Sequence, residues 1–165
     1  MLYNSYFKNP KDVPLLLEKI EKYTEQTGPV RLMEICGTHT MAIARSGIRS
    51  ILPDNVQLLS GPGCPVCVTP SNMIDMILDL SQRPGVLITS YGDLLRVPGS
   101  SQGDSLLTRR AAGSRVESVY SPMDALKIAE EQPETEVIFL GVGFETTAPG
   151  TAACILEASA RKLNN

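Results

Sequence analysis

The sequence has 165 residues, 42% hydrophobic and 20% charged, which suits one globular core and does not suit a disordered or collagen-like chain. Fifteen basic residues against eighteen acidic ones leave a net charge of −3, with the lysines and arginines scattered along the chain. That distribution argues against a nucleic-acid partner, because a phosphate backbone calls for a basic patch or stripe.

The leading segment "MLYNSYFKNPKDV" lacks a basic stretch followed by an apolar run, so no signal peptide is expected. No apolar stretch reaches the roughly 18 residues of a membrane span, and a cytoplasmic protein without a membrane partner is the expectation. In that reducing compartment the four cysteines are expected to be ligands, redox groups or core fillers rather than structural disulfides.

A small polar residue followed by proline opens the first predicted helix, "NPKDVPLLLEKIEKY" from Asn9. The strand-length apolar run "RLMEIC", 31–36, leads into "CGTHT", 36–40, and a short helix is predicted over "MAIARSGI". A second run, "VQLLS" at 56–60, leads into "GPGCPVC", 61–67, and then into a helix "TPSNMIDMILDL" from Thr69. The third run, "GVLITSY" at 85–91, is followed by "YGDLLRVPG" and by "VPGSSQGDS", 97–105, the most flexible-looking loop. The fourth, "RVESVY" at 115–120, opens into a helix from Ser121, where Asp124 suits the positive N-terminal end. The fifth, "EVIFLGV" at 136–142, ends in "GFETTAP", after which a last helix, "GTAACILEASARKL", begins behind Thr147 and Pro149.

Strands alternating with helices predict a single α/β domain over residues 1–165: a mostly parallel, Rossmann-like sheet of about five strands with flanking helices. All five polar motifs follow strand C-termini, and in an open parallel sheet those ends share one ligand-binding edge. The thiols of Cys36, Cys64 and Cys67 are therefore expected to converge, with His39, Asp93, Arg96, Glu145 and Thr146 around them.

Each motif admits more than one chemistry. The C-x-x-C pair Cys64 and Cys67 can close a short-range disulfide, offer two thiolates to a soft metal ion, or simply sit in a stiff turn. A four-cysteine zinc site is disfavoured, since Cys36 and Cys154 are isolated and no second close pair exists. Cys36 and the only histidine, His39, lie three apart on a glycine-containing loop. They can form an activated nucleophile, an iron or copper ligand pair, or a buried thiol beside a histidine that satisfies backbone groups at a helix start. "GVGFETTAP" lacks the third glycine of a dinucleotide fingerprint, Thr146 standing there; Thr146 and Thr147 can cap the last helix, and Glu145 is either functional or a solvated carboxylate. Asp93 and Arg96 are expected to pair across their loop, and Cys154, inside an apolar helical pattern, is expected in the core.

Taken together, "CGTHT", "GPGCPVCVTP", "YGDLLRVPG", "YSPMDALKIA" and "GFETTAP" resemble the motifs of the hydrogenase maturation protein family HypD, in that family's order. The resemblance implies a scaffold on which the Fe(CN)2CO unit of [NiFe] hydrogenase is assembled, a maturation factor rather than a turnover enzyme. It implies a HypC-type chaperone as partner, and HypE, with HypF, as the source of the cyanide groups. It places the iron ligand at Cys36, an orienting role at His39, a redox-active or iron-proximal thiol pair at Cys64 and Cys67, and the cleft-lining third motif at Glu145, Thr146 and Thr147. Met41 stands where many members carry a second histidine. Only the N-terminal half of the family is covered; the second α/β region and the cysteine-rich part that binds a [4Fe-4S] cluster have no counterpart, so no such cluster is expected. Two other functions compete with this one: a stand-alone dithiol oxidoreductase and a non-catalytic partner-binding fragment.

Overall fold

A computed structural model describes residues 9–165. Residues 1–8, most of the segment assessed above for a signal peptide, lie outside the described residues. The chain forms two compact units, one ending at Gly63 and one spanning Cys64–Asn165.

In the first unit, the Asn9 side chain accepts from the Lys11 N–H at 3.2 Å and starts a 3-10 turn, Pro10–Asp12, that runs into helix α1, Val13–Thr27. Gly28, at φ +82°, ends the helix in a conformation open to glycine but strained for other residues. Strand β1, Val30–Glu34, pairs in parallel with β2, Val56–Ser60, from Val30 opposite Val56 to Glu34 opposite Ser60. Between them lies helix α2, Gly37–Ser46, closed by the left-handed Gly47 and followed by a 3-10 turn, Ile48–Ser50. Thr24, the only buried side chain among the described residues of this unit, accepts from Asn55 Nδ2 at 2.7 Å and so ties α1 to the segment entering β2. Leu15, Leu16, Tyr23, Leu32, Met33 and Ile35 are exposed.

The second unit has a conventional core. Its elements are α3 (Pro65–Val68), α4 (Ser71–Leu80), β3 (Val86–Ser90), a 3-10 turn Leu94–Arg96, α5 (Leu106–Ala111), β4 (Val116–Ser118), α6 (Pro122–Glu131), β5 (Glu136–Leu140), a 3-10 turn Glu145–Thr147 and α7 (Ala148–Ala160). The sheet order is β4-β3-β5, all parallel. Every residue of the central strand β3 is buried, as expected for a strand paired on both edges and covered on its faces. Ile74, Ile77 and Leu78 of α4 pack with Val86, Ile88, Leu94, Leu95, Leu106, Val116 and Leu140, and Val66 of α3 packs against this cluster.

The α/β class and the five parallel strands agree with the sequence reading, but the strands form a two-stranded and a three-stranded sheet rather than one sheet of five. Apolar runs locate strands and do not name their partners. Three local expectations also change. Helix α2 starts at Gly37 instead of Met41, so "GTHT" is its first turn and not a loop. Helix α4 starts at Ser71 with Pro70 at its cap, because the Thr69 hydroxyl donates back to Pro65 O at 2.8 Å and closes α3. The segment 97–105, read as flexible from its Gly and Ser content, is fastened at both ends. Asp75 accepts from the Ser100 N–H at 2.7 Å and from its hydroxyl at 2.5 Å, while Arg109 grips Asp104 with two bonds of 2.7 and 2.6 Å. The Ser121 start is as read: its hydroxyl accepts from the Met123 N–H, and Asp124 accepts from the Ser121 N–H at 3.0 Å. Among the described residues no helix is long and apolar enough to cross a membrane.

Three outcomes follow for the second unit. Ser90 is fully buried and its hydroxyl has no hydrogen-bond partner, so Ser90→Ala should leave stability unchanged or raise it by about 1 kcal/mol. In the same urea titration, Leu78→Ala should cost about 2–5 kcal/mol. The Asp75 and Asp104 carboxyls are held below the usual 3.8, chiefly by Ser100 and by Arg109 respectively. A depressed folded-state pKa means that the fastening is complete above the ordinary carboxylate range and is lost as pH falls through the lower folded values. The Ser100 amide shift should therefore titrate with a midpoint under 3.8, and a midpoint above it would contradict the assignment.

Candidate functional site

Cys36 leaves β1 in an extended conformation, φ −138° and ψ 125°, and serves as the cap of α2 through its backbone, its carbonyl accepting from the Thr40 N–H at 3.0 Å. This puts half-buried Cys36 at the helix entrance and exposed His39 in the first turn. Cysteine and histidine are thus brought to one helix end by a strand-to-helix junction. The carboxylate of Glu34, two residues before Cys36, accepts from the Thr40 hydroxyl at 2.7 Å. That bond, chiefly, with the Ser60 hydroxyl and the N–H groups of Gly61 and Cys36 nearby, holds the Glu34 carboxyl below its usual range against the opposing effect of partial burial. Glu34 is absent from the sequence-based site; its one signal there is a carboxylate ending an apolar strand next to the CGTHT motif.

The turn after β2 approaches the same corner of the first unit. The Gly61 N–H donates to Glu34 O at 2.8 Å, and a Cβ on Gly61 would collide with that carbonyl oxygen. Glycine at 61 is therefore required by backbone contact.

In the second unit Cys64 caps α3, with Pro65 at the first helical position. The Cys67 N–H donates to Cys64 Sγ at 3.4 Å, and the two sulfurs lie 3.1 Å apart, longer than the roughly 2.05 Å of a disulfide and short enough to close by a small rotation. The Cys64 cap and Pro65 at the first helical position hold the pair on one turn.

The remaining motifs leave β3, β4 and β5 at the C-terminal edge of the three-stranded sheet. Asp93 and Arg96, both exposed, do not form the expected ion pair; Asp93 Oδ1 accepts from the Leu94 N–H at 2.9 Å and caps the 3-10 turn instead. Glu145 and Thr146 are exposed on the turn after β5. Thr147 stands at the cap position of α7 without capping it, since its hydroxyl donates to Phe144 O at 2.7 Å. Gly143 makes room for this, for a Cβ there would strike the Thr147 side chain. Cys154 is half-buried rather than fully in the core, with its thiol donating to Pro122 O at 3.2 Å and pushed up by burial.

The HypD family model, described as the hydrogenase formation hypA family, matches residues 12–165, nearly the whole chain. The chain belongs to the HypD family. The hydrogenase maturation factor HypD of Azotobacter vinelandii is 46% identical over 100% of the chain and 43% of that relative. The factor of the same name from Escherichia coli is 44% identical over 100% of the chain and 45% of that relative. That of Cupriavidus necator is 50% identical over 81% of the chain and 35% of the relative. The chain thus spans less than half the length of these HypD proteins.

Gly61→Ala should cost roughly 1–3 kcal/mol, as its neighbour is a main-chain oxygen that cannot turn aside. Gly143→Ala should cost less, because the Thr147 side chain can rotate. Chemical denaturation of the two variants checks the order, and equal costs would show that the Glu34–Gly61 contact is not a constraint.

Proposed function

We propose that the chain is part of a [NiFe] hydrogenase maturation platform that holds the Fe(CN)2CO unit, as cargo, on the Cys36 thiolate. The observation that carries this reading is the family match over residues 12–165, which takes in the CGTHT, GPGCPVC and GFETTAP motifs. Iron bearing cyanide and carbon monoxide is a soft centre suited to thiolate donors, and an assembly platform needs a ligand set that a partner can complete and later remove. One cysteine here and one from a HypC-type chaperone meet that need, with HypE, supplied by HypF, bringing the cyanide groups. His39 orients the cargo, and Glu145, Thr146 and Thr147 line the cleft. Cytoplasmic operation suits the reduced thiols this chemistry uses.

Cys64 and Cys67 serve in this proposal as the electron source and as candidate further iron ligands. Two thiols closing to one disulfide release two protons and two electrons, which is one ligand-attachment step's worth of reduction, and the 3.1 Å sulfur separation supports it. The same separation favours a second reading, an iron-independent dithiol oxidoreductase. The chain has four cysteines in all, three of them in the motifs above, so the family's [4Fe-4S] cluster would have to sit on residues this chain does not contain. In this proposal the chain corresponds to the N-terminal part of its longer relatives and acts as a scaffold rather than as a turnover enzyme.

Infrared spectroscopy of the chain, purified anaerobically after co-expression with the other maturation proteins, tests both readings. Cyanide and carbonyl stretching bands should be present and should vanish in Cys36→Ser. Bands that persist in that variant would remove Cys36 as the ligand. A reversible Cys64–Cys67 disulfide with no bands in any sample would favour the oxidoreductase.

A further inference from the structure

The least expected group near the CGTHT motif is the Glu34 side chain. A half-buried carboxylate at the end of a short strand costs free energy unless donors surround it. Here they come from both motif turns of the first unit. Oε1 takes the Thr40 hydroxyl at 2.7 Å, and the same Thr40 sends its N–H to Cys36 O at 3.0 Å. Thr40 therefore bridges the Glu34 carboxylate and the Cys36 backbone. On the other side the Glu34 carbonyl takes the Gly61 N–H at 2.8 Å, in a space that only glycine leaves open. Oε2 is buried and makes no hydrogen bond of its own, so the Thr40 bond is the chief restraint on the carboxylate, with Ser60 and the N–H groups of Gly61 and Cys36 adding less.

We propose that Glu34 is the positioning residue for Cys36: through Thr40 it clamps the first turn of α2 to the end of β1 and so fixes where the Cys36 sulfur is presented. This role rests on Cys36 being the iron ligand. A purely structural role would also stabilise the unit, but it would not single out metal affinity. Groups that hold a metal ligand in place govern affinity because the sulfur must be presented in one orientation, and their loss typically weakens binding roughly 10- to 100-fold.

The test uses the 165-residue chain with Co(II) as the probe, reading the Cys36-dependent part of the thiolate-to-cobalt charge-transfer absorption under anaerobic reducing conditions. Cys36→Ser must first remove that part of the band; if it does not, the ligand assignment fails and this role falls with it. Given that loss, Glu34→Ala and Thr40→Val should each weaken Co(II) binding roughly 10- to 100-fold. Thr40→Ser, which keeps the hydroxyl, should restore binding close to that of the unsubstituted chain. Thr24→Ala removes the buried Thr24–Asn55 bond of the same unit and controls for lost stability; it should leave the affinity unchanged. Unchanged affinity in Glu34→Ala and Thr40→Val, or an equal loss in Thr24→Ala, would overturn the proposal while leaving Cys36 as the ligand.

Discussion

Parallel strand pairing is the constraint on which the layout of each unit depends. A parallel pair cannot be joined by a tight turn, so the chain must cross back along the sheet before the next strand begins. Every strand then delivers its outgoing loop to the same edge as its neighbour. In the first unit this sets Cys36, after β1, beside Gly61, after β2, close enough for the Gly61 N–H to reach the Glu34 carbonyl. In the second it gathers the segments of Asp93, Ser121 and Glu145 at the ends of β3, β4 and β5. The residues with chemistry to offer are on loops, while the backbone directions that aim them are set by strands.

The two units hold their loops by different means. Around β3 the second unit buries an aliphatic core, and its loops inherit stiffness from that packing. The first unit buries almost no apolar side chain among its described residues and leaves Leu32 and Met33 of β1 exposed. A two-stranded sheet is marginal without a covered face. Directional contacts therefore carry more of the burden there: Asn55 to Thr24, and Thr40 to Glu34. Hydrogen bonds of this kind contribute modestly to stability but tolerate little angular change. The surroundings of Cys36 are consequently shaped by a few polar atoms, and in the proposed clamp a single hydroxyl, that of Thr40, would have unusual leverage over how Cys36 is presented.

Sequence reasoning succeeded where the signal was local. β2 was read residue for residue, because a run of apolar residues bounded by Asn55 and Gly61 leaves little choice. The start of α6 was legible because Ser121, Pro122 and Asp124 carry a complete set of capping instructions within four residues. The start of α2 was not, since Cys36 caps through its backbone alone and Gly37 is a poor helix former. Long-range partners were out of reach for the same reason: the segment 97–105 looks flexible until Asp75, 25 residues earlier, is found holding Ser100. Among the candidate residues, residue type and motif were the signals that singled out Cys36, Cys64 and Cys67. Glu34 was hidden because what sets it apart is which donors fold around it, and the sequence records neighbours in order rather than in space.

The same distinction separates the cysteines by chemistry. Cys154 sits in a helix whose packing against Pro122 gives its thiol a carbonyl to donate to, and burial raises its pKa, which disfavours the thiolate form. Cys64 and Cys67 are held by a cap and a following proline with their sulfurs 3.1 Å apart, so the entropy of bringing two thiols together is already spent in the folded chain. Closing them requires a shift of about 1 Å to reach a normal sulfur–sulfur bond, with little backbone movement. Under the proposed function, a dithiol preset in this way would give up an electron pair on closing to a disulfide and recover it on reduction, a change confined to one helical turn. That is the property an assembly platform would need if its scaffold has to survive each redox step intact.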